Sequence, residues 1–167
     1  IVSENRPEWQ IADLAIMAVG AITVPAYITN TTADHEYIIK HSGARALIVS
    51  NHTLTEKVLP AVENVSQCNN VIKIEDDNQD YNSPVAIFAW SKLLQENRDQ
   101  SFDLKSAASK HQRDDAACII YTSGTGGNPK GVMLSHRAML TNCKGADTLI
   151  KEITAPLKEI RFLSWLP

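Results

Sequence analysis

The sequence is poor in several features that would announce a particular class of protein. It has only three cysteines, Cys68, Cys118 and Cys143. They are odd in number and widely separated, with no C-x-x-C pair and no histidines at ligand spacing, so neither a disulfide framework nor a zinc site is expected and a reduced, cytoplasmic setting fits. Basic charge is scarce too: 16 Lys and Arg stand against 19 Asp and Glu, a net charge of -3. Nucleic-acid binders cluster cations on one face, so nucleic acid is not an expected partner. A spanning helix needs about 20 mostly apolar residues. The longest apolar stretch, Ile11 to Ile28, is broken by Asp13, Gly20, Thr23 and Pro25. No basic region followed by an apolar run and a small-residue cleavage site opens the chain, so a signal peptide is not expected. It begins at Ile1 without a methionine.

What is present is ordinary material for one folded unit. The 167 residues are 44% hydrophobic and 21% charged, close to the average of globular proteins and far from disordered ones. Helical and extended patterns alternate. Pro7 suits a first helical turn, and Trp9, Ile11, Ala12, Leu14, Ala15, Ile16 and Val19 give that helix a broad apolar face, with Gly20 as its stop. Ala21 to Ala26 reads as a buried parallel strand. A second helix is expected from a Thr32 cap to Gly43, then a strand over Ala46 to Ser50. Thr53 and Glu56 form a T-x-x-E capping box for a third helix, which Pro60 should end or kink early. Val71 to Ile74 is a further apolar run, Asp76 to Pro84 an exposed loop, Trp90 to Glu96 a short helix, and Ser101 to Asp115 a polar connector. The alternation predicts an α/β fold with a mainly parallel sheet flanked by helices, doubly wound in style.

Glycine is the exception to this even distribution. Four of the seven glycines, Gly124, Gly126, Gly127 and Gly131, fall in one stretch that follows the apolar run Ala116 to Tyr121: Thr122-Ser123-Gly124-Thr125-Gly126-Gly127-Asn128-Pro129-Lys130-Gly131. Glycine lets backbone N–H groups turn inward and approach a ligand, while Thr122, Ser123, Thr125 and Lys130 add hydroxyl and ammonium donors. These are the parts of a polyphosphate cradle. An ammonium about 4 Å from a phosphate oxygen gains roughly 4 kcal/mol of gross Coulomb energy at an effective dielectric of 20, which makes Lys130 the residue with most to contribute. The G-x-x-x-x-G-K-[ST] phosphate loop does not fit, because Lys130 follows Pro129 and precedes Gly131. Val132 to Leu134 is another apolar run, so the loop is able to link two strands instead of opening a helix.

Tyr121 to Gly131, continued by Val132-Met133-Leu134-Ser135-His136, resembles the phosphate-loop signature of the adenylate-forming superfamily. That superfamily includes acyl-CoA synthetases, luciferases and peptide-synthetase adenylation domains. The likeness extends to Asn5-Arg6-Pro7-Glu8-Trp9, Gly20 to Pro25, Gly43-Ala44 and Leu163-Ser164-Trp165-Leu166-Pro167, segments similar to those of long-chain acyl-CoA ligases. It is weakest between about residues 66 and 112. One departure stands out: the family loop most often carries two threonines before its second glycine, and here Gly126 follows Thr125.

The resemblance implies part of the large N-terminal domain of an acyl-CoA synthetase-like fold. Residues 1–112 would form an α/β subdomain and 113–167 the phosphate-loop segment and following helix, with the family's C-terminal domain absent. It implies that Thr122, Ser123, Gly124, Thr125, Gly126, Gly127, Asn128, Pro129 and Lys130 bind ATP, that Thr122 lies near Mg2+, and that Lys130 is the catalytic candidate. The implied reaction joins a fatty acid to CoA through an acyl-adenylate, and the chain alone is expected to be inactive. Peripheral membrane contact and a homodimer are compatible with the resemblance. An adenylation domain for another carboxylate or an amino acid, and a non-catalytic nucleotide-binding module, are the alternatives. His136 reads equally as a packing residue at the next helix, Asp114 and Asp115 as a solvated turn, and His35 and His41, six apart, not as a metal pair.

Overall fold

The computed structural model describes residues 1–77, 79–122 and 127–155. Its first helix, α1 (Pro7–Ala18), starts with proline where no intrahelical N–H is needed. Arg6 tethers that start: its guanidinium donates to Glu8 at 2.8 Å and to Glu75 at 2.7 Å. Gly20, at φ 79°, closes the helix in a Schellman arrangement, Gly20 N–H donating to Met17 and Ala21 N–H to Ile16. Glycine suits that φ, and any Cβ there would lie 2.5 Å from the His111 ring, which would have to move. The broad apolar face expected of α1 is only partly used. Ala12 is buried, while Ile11 and Leu14 are 54% and 65% exposed.

Helix α2 (Thr32–Ser42) is capped by Thr31, one residue before the expected cap, in a reciprocal box with Asp34. Gly43 ends it in the left-handed conformation at φ 72°. Strand β1 (Ala46–Val49) follows. The expected box of Thr53 and Glu56 does not cap α3 (His52–Glu63); Asn51 does, accepting the Leu54 N–H. Nor does Pro60 end α3, which runs on to Glu63. Pro60 removes the N–H that would reach the Glu56 carbonyl, but buried Val58, Ala61 and Val62 hold the helix against the sheet around it.

Strands β2 (Asn70–Lys73) and β3 (Ala86–Ala89) complete a parallel sheet in the order β1-β2-β3, with Leu47, Val71 and Ile87 in register. Alternation along the strands splits the core in two. Leu47, Val49 and Val71 face α2 and α3, whereas Ile48 and Ile72 face Ala12 and Ile16 of α1 and Trp90. Helices on both faces match the expected doubly wound style. β3 was not foreseen: four residues, Ala-Ile-Phe-Ala, run straight into α4 (Trp90–Glu96). A short helix, α5 (Leu104–Ala108), interrupts the expected connector.

The segment Ala21 to Ala26 is not a strand of the sheet, contrary to expectation. It makes point contacts in two directions instead. Ala26 N–H donates to the Ile1 carbonyl, Val2 bridges Val49 at the free edge of β1, and Thr23 bridges Cys118. Pro25 lacks a ladder donor, which explains why no continuous pairing forms. Through Thr23 this segment ties the parallel sheet to an antiparallel hairpin of β4 (Ala116–Thr122) and β5 (Lys130–Ser135). Helix α6 (His136–Thr154) leaves β5 with Ser135 as its cap. None of its described residues is buried, and Leu140, Leu149, Ile150 and Ile153 are 55%, 57%, 40% and 61% exposed.

Candidate functional site

The glycine-rich loop joins two strands, as the apolar run after it allowed. The ladder of β4 and β5 closes with Tyr121 opposite Gly131 and Thr122 opposite Lys130. Ser123, Gly124, Thr125 and Gly126 lie outside the described residues, as does the expected family segment Leu163 to Pro167. On the described arms, Thr122, Gly127, Asn128 and Lys130 are exposed and Pro129 is half-buried. Gly127 has φ 107°, which side chains rarely adopt, and among the described residues nothing lies within 4 Å of where a Cβ would stand. The described arms therefore present the Thr122 hydroxyl, the Lys130 ammonium and the Gly127 backbone at the open end of a hairpin.

Packing beneath that end is close. A Cβ on Gly131 would meet Ile119 Cγ2 at 2.9 Å and the Tyr121 ring at 3.2 Å, so Tyr121 lies across the bare glycine backbone. Tyr121 is 6% exposed, and burial, then the neighbouring Tyr37, push its phenol above the ordinary tyrosine range. It is neutral at physiological pH, and its hydroxyl shares a 2.7 Å hydrogen bond with His41 Nδ1. Tyr37 Oη donates to the Pro129 carbonyl at 3.1 Å. Neither Tyr37 nor His41 was singled out from the sequence as a site residue. Tyr37 lies 92 positions from Pro129, and only the fold brings them together.

At the other end of the hairpin, Arg137 donates twice to Asp114, at 2.5 and 2.7 Å, and holds that carboxyl below the usual carboxylate range. Asp115 accepts the Gln112 N–H, so the expected solvated turn is present with an ion pair added. His136 stacks on His111, with ring centroids 6.3 Å apart, at the start of α6. It packs there while Ser135 makes the cap.

A family profile described as AMP-binding enzyme matches residues 1–167. The chain belongs to the AMP-binding enzyme family. Among similar family proteins, a long-chain-fatty-acid–CoA ligase of Gallus gallus is 30% identical over 175 residues, covering 100% of this chain and 22% of that protein. Long chain acyl-CoA synthetase 4 of Arabidopsis thaliana is 30% identical over 174 residues, covering 100% of this chain and 25% of that protein. This chain thus spans about a quarter of the length of the curated relatives it matches. Among solved structures, the A-PCP didomain of carboxylic acid reductase from Segniliparus rugosus, in complex with AMP, superposes with a TM-score of 0.71 at 16% identity. That superposition covers 81% of this chain and 21% of the other. The α/β fold, with its parallel sheet and flanking helices, is that of the N-terminal domain of adenylate-forming enzymes.

Proposed function

We propose that this chain is the phosphate-loop portion of an ATP-dependent fatty acid–CoA ligase, and that residues 122–130 receive the ATP phosphates. The observation that carries this reading is the Thr122–Lys130 pair, which sets a hydroxyl and an ammonium side by side at the open end of the hairpin. Residues 1–112 act as the α/β support and 113–167 as the phosphate-loop segment with its following helix. The exposed apolar residues of α6 suit a surface that further protein covers.

In the reaction, an oxygen of the fatty carboxylate attacks the α-phosphorus of ATP, and the bond from that phosphorus to the pyrophosphate oxygen breaks. Acyl-adenylate and pyrophosphate result. The CoA sulfur then attacks the acyl carbonyl, its proton passes to water, and AMP leaves with the bond's electron pair to give the thioester. Charge accumulates on the departing pyrophosphate, and Lys130 with the backbone donors of residues 123–127 is suited to hold it. Thr122 offers its exposed hydroxyl as a ligand for Mg2+, which when bound neutralises phosphate charge. The chemistry needs the ammonium and the glycine backbone on one side of the polyphosphate, and the pairing of Thr122 with Lys130 supports that reading.

A cytoplasmic setting belongs to the same reading, supported by free Cys68 and Cys118 in the core. Among the described residues no helix is long and apolar enough to cross a membrane; peripheral membrane contact is proposed from the fatty substrate. The reading is tested by carboxylate-dependent ATP–pyrophosphate exchange in the full-length protein, with palmitate, acetate and a panel of amino acids. Exchange with palmitate alone supports it; exchange only with an amino acid or a short acid moves the assignment within the family. No exchange with any acid removes the ligase reading in favour of a nucleotide-binding module.

A further inference from the structure

Two side chains one turn apart on α2 hold the two arms of the loop separately. Tyr37 reaches the exit arm through its hydrogen bond to the Pro129 carbonyl, 3.1 Å long. His41 reaches the entry arm through its 2.7 Å bond to Tyr121 Oη. The two rings stack on each other, with centroids 5.3 Å apart and planes inclined by 19°. Tyr121 meets both edge-on, at 6.3 Å from Tyr37 and 5.7 Å from His41. Residues at i and i+4 share a helix face, so this spacing is what allows one helix to address both arms.

The helix that carries them is well anchored. α2 is capped at both ends, by the Thr31–Asp34 box and by Gly43, and Ile38 and Ile39 on it are buried. Aromatic filler beneath a hairpin would need neither a phenol on a loop carbonyl nor an imidazole on a buried phenol. Both bonds end on the stems of the one segment that has donors for polyphosphate. Ordering a loop around a ligand costs backbone entropy of about 1–2 kcal/mol per residue, so stems fixed in advance favour binding.

We propose that Tyr37 and His41 are positioning residues of the phosphate loop, setting the separation of Tyr121 and Pro129 and through it the placement of Lys130. The proposal rests on reading the loop as the ATP phosphate site. Because the clamp acts on the phosphate loop, it governs affinity for ATP and pyrophosphate, and not for AMP or the carboxylate.

The test uses the full-length protein and isothermal titration with inorganic pyrophosphate and, separately, AMP. Tyr37→Phe keeps the ring and the stack and removes only the donor. It should weaken pyrophosphate binding and raise the KM for ATP by about 2- to 10-fold, the range for one hydrogen bond, with AMP affinity and carboxylate KM unchanged. His41→Leu should weaken pyrophosphate in the same selective way, and His41→Asn, whose amide can occupy the place of Nδ1, should restore part of the loss. Equal weakening of pyrophosphate and AMP, or a lowered Tm with pyrophosphate affinity intact, would overturn the proposal in favour of plain packing. A wild-type protein that binds pyrophosphate but exchanges with no acid removes the ligase reading while leaving the clamp to be judged on the pyrophosphate titration. One that binds no pyrophosphate overturns both.

Discussion

Thr122 and Lys130 stand opposite each other as the last ladder pair of β4 and β5, and the glycine-rich stretch between them is closed by that pair. Directly opposed residues in an antiparallel ladder have Cβ atoms about 4.5–5.5 Å apart, so one phosphate group can meet both side chains. Lys130 is exposed and its substitution removes no core contact. Lys130→Ala should therefore leave Tm within about 1 °C while weakening pyrophosphate binding roughly 10- to 100-fold, the loss of one hydrogen bond to a charged group. Lys130→Arg should keep part of the affinity. If Ala at this position leaves the pyrophosphate titration unchanged, the ammonium is not on the phosphate.

Gly131 tests the packing under the loop instead of its charge. A methyl group there would stand 2.9 Å from Ile119 Cγ2 and 3.2 Å from Tyr121 Cζ, and neither atom is the free end of a flexible chain. Gly131→Ala should destabilise the protein by about 1–3 kcal/mol through overpacking, read as a lower urea midpoint at constant m-value. Removing the obstruction with Ile119→Ala in the same chain should recover part of that loss. A double variant less stable than the sum of its parts would show that the clash is elsewhere.

The contrast between these two residues shows how much was legible in the sequence. The donors at 122–130 stand together in the chain, so the loop stood out as a candidate cradle on which the family resemblance then rested, and the apolar run after it allowed the hairpin. Helices α2 and α4 and strands β1 and β2 were likewise visible, because propensity, stop signals and burial all agreed there. The failures lie where tertiary contacts outvote local pattern. Pro60 sits inside α3 because buried neighbours hold the helix across it. Ala21 to Ala26 has the composition of a strand but is divided between Ile1 on one side and Ala117 to Ile119 of β4 on the other. Tyr37 lies within the helix expected from Thr32 to Gly43, and nothing near it in the chain points to Pro129.

Lys73 gives a prediction about a buried charge. It ends β2 with 7% of its side chain exposed, paired with Asp77 and lying 4.4 Å from the centroid of the Tyr81 ring. Tyr81 donates to Asp77 at 2.8 Å, so the 2.7 Å contact to His52 uses an Nδ1–H donor on the imidazole. Burial, then Asp77, push the Tyr81 phenol up to about 12. Asp77→Ala leaves the ammonium buried without its carboxylate and should cost about 3–5 kcal/mol, whereas Lys73→Met should cost less, since Asp77, 19% exposed, keeps solvent and the Tyr81 hydroxyl as partners. Equilibrium urea unfolding of the two variants decides it, and the reverse order would mean that Lys73 finds another partner.

His35 supplies the pH dependence. It is 1% exposed within α2, and Nε2 has no hydrogen-bond partner among the described residues. Burial, reinforced by the charge of Lys57 and opposed by Asp34, lowers its pKa from 6.5 to about 4. Below 6.5 the unfolded chain takes up a proton that the folded chain refuses, so the unfolded state binds more protons and stability rises with pH. The contribution is fully present above 6.5 and is lost as the pH falls through about 4. At one pKa unit per 1.36 kcal/mol, the swing approaches about 3 kcal/mol. Urea midpoints measured from pH 7.5 to pH 4 should fall steeply in the wild type and less steeply in His35→Gln, which cannot ionise. The difference between the two curves isolates His35 from the carboxylates, which titrate in both proteins. Parallel curves would mean that His35 is protonated in the folded state, with its charge met by a partner such as Asp34.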